Sequence, residues 1–411
     1  MERHSPIVFM ALCVWCWAFS SLAPSRAQAP AGQALGAQAN PVPAPAPDPS
    51  AARFNFGGNA AEVPAEFMGN VPLLPVQIDQ SRASFFVLDS TASSSSIDPH
   101  RAEELGVSGT RPAVLNLTGV DIPFAKLPQQ ARPDFGTQFG RAYEGTLGAD
   151  FFQRVIVEID YVRRTVRLYD PAIYKYSGQG TPIPLSFVNG TPAIDARLIE
   201  PKGKAVQGQF AVNTALDGAT VVSAQFAEAH RLLVHWKTIP TFDPEIEAGP
   251  GETTGRPKGI YLGPYLAEDT LVTFAKADLA AVSGSQVAGE IGGAMLRRFT
   301  VVFDYPHHQM YLQPNSNFGK EEEEDKSGIA VVAKGATLKT FEIVEVEPKT
   351  PGSDAGLQKG DVIAGIDEDA AADLTLAEIR DLFRQIGHKY TLLIDRGGQT
   401  KQVPVEMRRL L

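Results

Sequence analysis

Two stretches of this chain, residues 74–170 and 193–314, run through the same succession of apolar and polar positions. In the first, Leu74 to Ile78 and Ser84 to Leu88 read as strands around a polar turn. In the second, Ala193 to Ile199 and Gln209 to Val212 read the same way. Asp98 followed by Pro99 predicts a helix cap and first turn, running to Leu105 and stopping at Gly106. Ser223 predicts the cap of a second short helix, Ala224 to Leu233. Each stretch closes on a period-two hairpin: Val155 to Asp160 turning into Thr165 to Tyr169, and Thr300 to Asp304 turning at Pro306-His307-His308 into Met310 to Leu312. Gly145 to Gly289 and Asp160 to Asp304 are both offset by 144 residues. A constant offset at two separate landmarks predicts a duplicated unit and a two-lobed, mainly β fold.

Composition sets the frame around that pattern. A hydrophobic content of 44% with 20% charged residues is that of a globular protein, and Gly 37 with Pro 31 suits many short strands. Arg3, the apolar run Ile7 to Leu22 and Ala27-Gln28-Ala29 predict a signal peptide over residues 1–29, and so export to a bacterial periplasm or beyond. Both cysteines, Cys13 and Cys16, fall inside it, so disulfides and thiolate chemistry are not expected of the mature chain. Losing Arg3, Arg26 and Glu2 moves the formal charge from −10 to about −11, which argues against nucleic acid as a partner. No mature segment reads as a membrane span. Residues 30–65, rich in Ala and Pro at their start, are expected to be a tether. Lobes are then expected over 66–177 and 178–318, with Pro240 to Gly263 a surface loop or lid. Glu321 to Asp325 are five acids in a row, read as a solvated hinge over 319–326.

The candidate chemistry sits after the first strand pair of each lobe. Phe86-Val87-Leu88 leads into Asp89-Ser90-Thr91, and Phe210-Ala211-Val212 into Asn213-Thr214-Ala215; Leu147-Gly148 and Ile291-Gly292 follow later. Over residues 70–315 this resembles the retropepsin-like and pepsin-like aspartic peptidases. By that resemblance Asp89 is one catalytic carboxyl, Asn213 takes the place of the other, and the hydroxyls of Ser90 and Thr214 brace the triplets. Two carboxyls sharing one proton are what such chemistry needs, and an amide neither ionises nor relays a proton. Thr91 and Ala215 replace the triplet glycines, with the β-branched Thr91 expected to be the costlier. Asp217, four positions after Asn213, is a weaker substitute. Asp150, Asp160 and Asp304 read as turn caps. Ser93 to Ser96 lack a nucleophile elbow, and His230, His235, His307 and His308 lack metal spacing. Neither a metal nor a cofactor is expected.

Residues 327–411 carry a second resemblance. Phe341 to Val346 alternates as a strand, followed by Pro351-Gly352-Ser353-Asp354-Ala355-Gly356-Leu357 and Gly360-Asp361-Val362-Ile363, then a helix from Leu376 to Gln385 and a strand from Tyr390 to Arg396. This closely resembles a bacterial PDZ domain, an α+β module that adds an extended peptide as a strand and takes its C-terminal carboxylate. The resemblance implies a carboxylate loop at Leu338, Lys339, Thr340 and Phe341, a pairing strand through Ile343, and a groove wall from Ile379, Leu382 and Phe383. The same helix spacing suits plain core residues equally. Together the features predict an exported protein that binds extended polypeptides or protein C-termini, with catalysis weakened or lost. The alternatives are an active aspartic-type endopeptidase built around Asp89, and a structural envelope protein docked through its PDZ domain.

Overall fold

A computed structural model describes residues 51–411 apart from 80, 132, 235, 242–251 and 277–286. The signal-like segment and most of the tether lie outside the described residues, as does His235. The protein is mainly β, 43% strand and 13% helix.

Each lobe is organised by one crossing of strands. In the first, Val71–Ile78 pairs antiparallel with Ser84–Leu88, which runs parallel to Gly145–Leu147 with Phe86 opposite Gly145; Ser96–Ile97 closes the other edge of Gly145–Leu147. In the second, Thr191–Ile199 pairs with Ala205–Val212, which runs parallel to Gly289–Ile291 with Phe210 opposite Gly289, and Thr220–Val222 closes that edge. Glycine is needed at both close approaches. A Cβ on Gly145 would lie 2.2 Å from the Phe86 ring, and one on Gly289 would lie 1.9 Å from the Val221 carbonyl oxygen.

The lobes are joined by a six-stranded sheet built from both. Its centre pairs Ile156–Asp160 with Phe299–Asp304, Val157 opposite Phe303 and Asp160 opposite Thr300. Residues of both lobes enter one core, in which Phe152 meets Phe303 edge-on at 5.5 Å and stacks on Tyr305 at 4.9 Å. The described residues include no cysteine, so they rely on such burial, on the order of 25 cal/mol per Å2 of apolar surface.

Three expectations are corrected. Residues 53–64 belong to the fold and not to a tether: Arg53–Phe54 pairs with Val120 and Asp121, and Ala61–Pro64 forms an edge of the six-stranded sheet. Ala61 and Val63 are buried while Glu62 and Pro64 face out, a period-two pattern that the neighbouring prolines mask in sequence. The described part of the Pro240 to Gly263 stretch is largely strand, with residues 242–251 outside the described residues: Thr238–Thr241, Glu252–Gly255 and Gly259–Leu262 all join the ten-stranded sheet of the second lobe. The acidic run is not a solvated hinge. Glu322 and Glu324 are buried while Glu321 and Glu323 are exposed, so the run alternates as an extended segment. Glu322 accepts from Thr270 Oγ1 (2.9 Å) and the Leu271 N–H (3.0 Å), and Glu324 pairs with Arg256 at 3.0 Å. Lys326, fully buried, pairs with Glu323. Fixed donors and cations hold charges that would otherwise repel into water.

The C-terminal sheet has the order Ile329–Lys334, Thr340–Val346, Val362–Ile366, Lys389–Arg396, Gln399–Glu406, with its own core around Phe341, Ile343, Ile379, Phe383 and Leu392. Thr375 opens the helix Leu376–Phe383 with a reciprocal cap to Glu378.

Candidate active site and peptide groove

The two triplets meet at the junction of the lobes through their middle hydroxyls. The Ser90 N–H donates to Thr214 Oγ1 and the Thr214 N–H to Ser90 Oγ, each at 3.0 Å. Ser90 Oγ in turn donates to the Val212 carbonyl (2.6 Å), and Thr214 Oγ1 to the Leu88 carbonyl (2.5 Å). Both side chains are fully buried, and the Tyr305 hydroxyl donates to the Ser90 carbonyl at 3.1 Å. Burial makes each bond costly to lose. Burial, with the nearby charge of Asp89, pushes the Tyr305 hydroxyl well above its ordinary value, so it stays a donor.

The strands Ser84–Leu88 and Ala205–Val212 deliver Asp89 and Asn213 to equivalent places, with the Asp89 N–H on the Leu147 carbonyl (3.0 Å) and the Asn213 N–H on the Ile291 carbonyl (2.9 Å). Asp89 is 4% exposed. Its Oδ1 accepts from the Thr91 N–H (3.0 Å), Thr91 Oγ1 (2.7 Å) and the Ala92 N–H (3.1 Å). Thr91 is therefore an added donor and not a strained substitute for glycine. Neither it nor Ala215 has a positive φ, so an L side chain fits both loops without backbone cost. Ala215 packs against the cluster of Met68, Val71, Leu73, Val87 and Phe139.

Asn213 is committed at both ends of its amide. Its Oδ1 accepts from the Ala215 N–H at 2.9 Å and its Nδ2 donates to Glu290 Oε2 at 2.8 Å. Glu290 is the residue that sequence reasoning passed over. It pairs with Ala211 and Val221 in the second lobe as Thr146 pairs with Val87 and Ser96 in the first. It is 4% exposed, and its Oε1 is buried without a hydrogen-bond partner. Burial pushes its carboxyl up to about 7; the Asn213 amide opposes that shift and the charge of Asp89 adds to it. The available signal was a charged residue in Gly289-Glu290-Ile291-Gly292, a stretch that is otherwise apolar and glycine.

The other candidates are placed elsewhere. Asp217 turns away from the triplets to hold the hairpin turn of the first lobe, accepting from the Asn70 N–H (2.5 Å) and Asn70 Nδ2 (2.7 Å). Asp150 accepts from the Ser95 N–H and Oγ, which ties the Ser93 to Ser96 loop. Asp160 caps the Val162 and Arg163 N–H groups, and Asp304 engages His307 at 2.7 Å. His230 packs on Phe226, and His308 lies edge-on to Phe187. Among the described residues no group of three His, Cys, Asp or Glu side chains is arranged to hold a metal ion.

In the C-terminal domain the groove differs from the expected one. Thr340–Val346 lies between two strands, so it has no free edge along Phe341 and Glu342 for a peptide. Phe341, Ile343, Ile379 and Phe383 are core residues, and Leu382 packs partly buried against them. Leu338 lies in the hairpin turn with φ 53°, its N–H on the Gly335 carbonyl; Lys339 Nζ donates to the Leu374 carbonyl at 2.6 Å, and Thr340 is exposed. The free edge belongs to Ile329–Lys334, beside the helix Leu376–Phe383. Groups of the chain itself engage one carbonyl of that edge and the turn just before it. Arg380 Nη2 donates to the Val331 carbonyl at 3.2 Å, and Asp325 Oδ1 accepts from the Ser327 and Gly328 N–H groups at 2.9 and 2.7 Å. At the far end, the first lobe brings Gly140 so close that a Cβ on it would lie 2.8 Å from Leu376 Cβ and 3.6 Å from Ala333 Cβ.

Comparison with known proteins identifies the smaller part. Residues 321–407 match the family described as PDZ domain, and this chain carries such a domain there. No curated protein matches the chain. Among solved structures, a photosystem II D1 C-terminal processing protease is 21% identical over 21% of this chain and 23% of its own length, with a TM-score of 0.20. The match thus spans about a quarter of that protease. An aspartic proteinase from Irpex lacteus is 14% identical over 62% of this chain and 98% of its own, with a TM-score of 0.37.

Proposed function

We propose that this protein is exported and binds extended polypeptides, on a two-lobed scaffold of the aspartic-peptidase kind followed by a PDZ domain, with peptidase catalysis weakened or lost. The observation that carries this reading is the Asn213 amide. It holds in the second triplet the place that Asp89 holds in the first, and both its ends are engaged, so it supplies no second titrating group of its own. The brace itself is complete, which keeps the junction of the lobes shaped. The PDZ domain supports a polypeptide or C-terminus as partner, taken along the edge of Ile329–Lys334; the signal-like start of the sequence supports export.

The test uses the full chain with fluorescein-labelled unfolded casein from pH 3 to 7. Saturable binding by fluorescence anisotropy, with cleavage far slower than that of an enzyme with two aspartates, is the expected result. Absence of binding at every pH refutes the reading.

Glu290 favours a second reading, slow acid-range hydrolysis centred on Asp89, because it puts another buried carboxyl beside the triplets. In that chemistry a water oxygen bonds to the peptide carbonyl carbon as its proton passes to Asp89. The same proton then passes to the leaving nitrogen as the C–N bond breaks. Cleavage that survives Asp89→Ala rules it out.

A further inference from the structure

We propose that Glu290 supplies the second carboxyl of the site at Asp89 and sets the pH range over which that site keeps a proton. The inference deepens the acid-hydrolysis reading above and rests on it. A carboxyl inside a strand crossing is an expensive group to keep: one oxygen has the Asn213 amide, the other has no partner, and the side chain is 4% exposed. The equivalent place in the other lobe is filled by an uncharged Thr146. A buried ionisable group with an unmet oxygen, anchored to a triplet side chain, is better explained by chemistry than by stability.

The surroundings isolate the pair. The strands flanking Gly289–Ile291, Ala205–Val212 and Thr220–Val222, carry no ionisable side chain. Asp217 in the adjoining loop is engaged with Asn70, and the Tyr305 hydroxyl is held as a donor on Ser90. The charge acting on Glu290 is that of Asp89. Below about pH 7 Glu290 keeps its proton, so the site holds a protonated carboxyl beside Asp89, as two carboxyls sharing one proton would provide. Above it, Glu290 ionises against the opposing charge of Asp89. Glu290 acts through Asn213 and through its field, so it is a positioning residue; Asp89 is the group that meets water.

The experiment compares the full chain with Glu290→Gln and Asp89→Asn in two measurements. Carbon-13 NMR of carboxyl-labelled protein reads the titration of Glu290, expected near neutrality and shifted down in Asp89→Asn. Cleavage of fluorescein-casein reads the site: in the unaltered chain the rate should fall about tenfold per pH unit above the Glu290 midpoint, and in Glu290→Gln that alkaline limb should vanish. An ordinary carboxylate titration for Glu290, or an alkaline limb unchanged in Glu290→Gln, overturns the proposal. A chain that cleaves nothing but shows the coupled titration removes the hydrolysis reading while leaving the carboxyl pairing intact.

Discussion

Replacing Thr214 by Val tests whether the crossed hydroxyls hold the lobes together. Valine has the shape of threonine but no oxygen, so packing is preserved while every bond of Oγ1 goes. The Ser90 N–H loses its acceptor at 3.0 Å and the Leu88 carbonyl loses its donor at 2.5 Å, both where the side chains are fully buried. Each buried group left unpaired costs about 1–3 kcal/mol, for a total of about 2–6 kcal/mol. Thr214→Ser keeps the oxygen and loses one methyl, so it should cost about 1 kcal/mol. Ser90→Ala removes the reciprocal half, the acceptor of the Thr214 N–H and the donor to the Val212 carbonyl. Because the two residues share one network, the double variant should differ from the sum of the singles by about 1 kcal/mol or more. Urea unfolding at pH 7, followed by far-ultraviolet circular dichroism, measures all four proteins. A Thr214→Val midpoint that matches Thr214→Ser would refute the argument.

Three further outcomes follow from the same geometry. The Glu290 carboxyl is raised from 4.5 to about 7 in the folded protein, so between those values the folded state binds more protons than the unfolded one. Stability should therefore fall by up to about 3 kcal/mol as pH rises through that window, and the slope should disappear in Glu290→Gln. Asn213→Asp alone replaces an amide donor with a third carboxyl facing Glu290, so it should lower the thermal midpoint at pH 8 more than at pH 5. Gly140→Val places a Cβ 2.8 Å from Leu376 Cβ at φ +70°; hydrogen exchange should accelerate along Ile329–Lys334, while Gly57→Val, with open space around it, leaves exchange there unchanged.

Much of the fold was legible because its signals are local. Alternation in Thr165–Tyr169 and Gln309–Pro314 follows from one buried face per strand. The cap at Asp98 and the left-handed Gly106 that ends its helix are fixed by neighbouring residues alone. The PDZ domain announced itself through a run of glycines and turn residues at set spacing. The functional groove inside it did not, because alternation identifies a strand without saying which strand lies at the edge of the sheet. That is why Phe341 and Ile343 read as peptide-binding residues and are core. The acidic run failed for a related reason: five like charges repel in water, but Arg256, Thr270 and Leu271, fifty or more residues away, supply the donors that hold Glu322 and Glu324.

The sequence by itself determined the strand periods, the paired triplets and the replacement of one carboxylate by Asn213, since each depends on residue type and near neighbours. Tertiary structure decided what that replacement means. Glu290 lies 77 residues from Asn213 along the chain, and a parallel strand pairing brings its carboxyl to the amide at 2.8 Å. Burial, a property of the assembled lobe, then raises its proton affinity. Charge in a site is set by what surrounds a group after folding, and no local pattern in the chain records it.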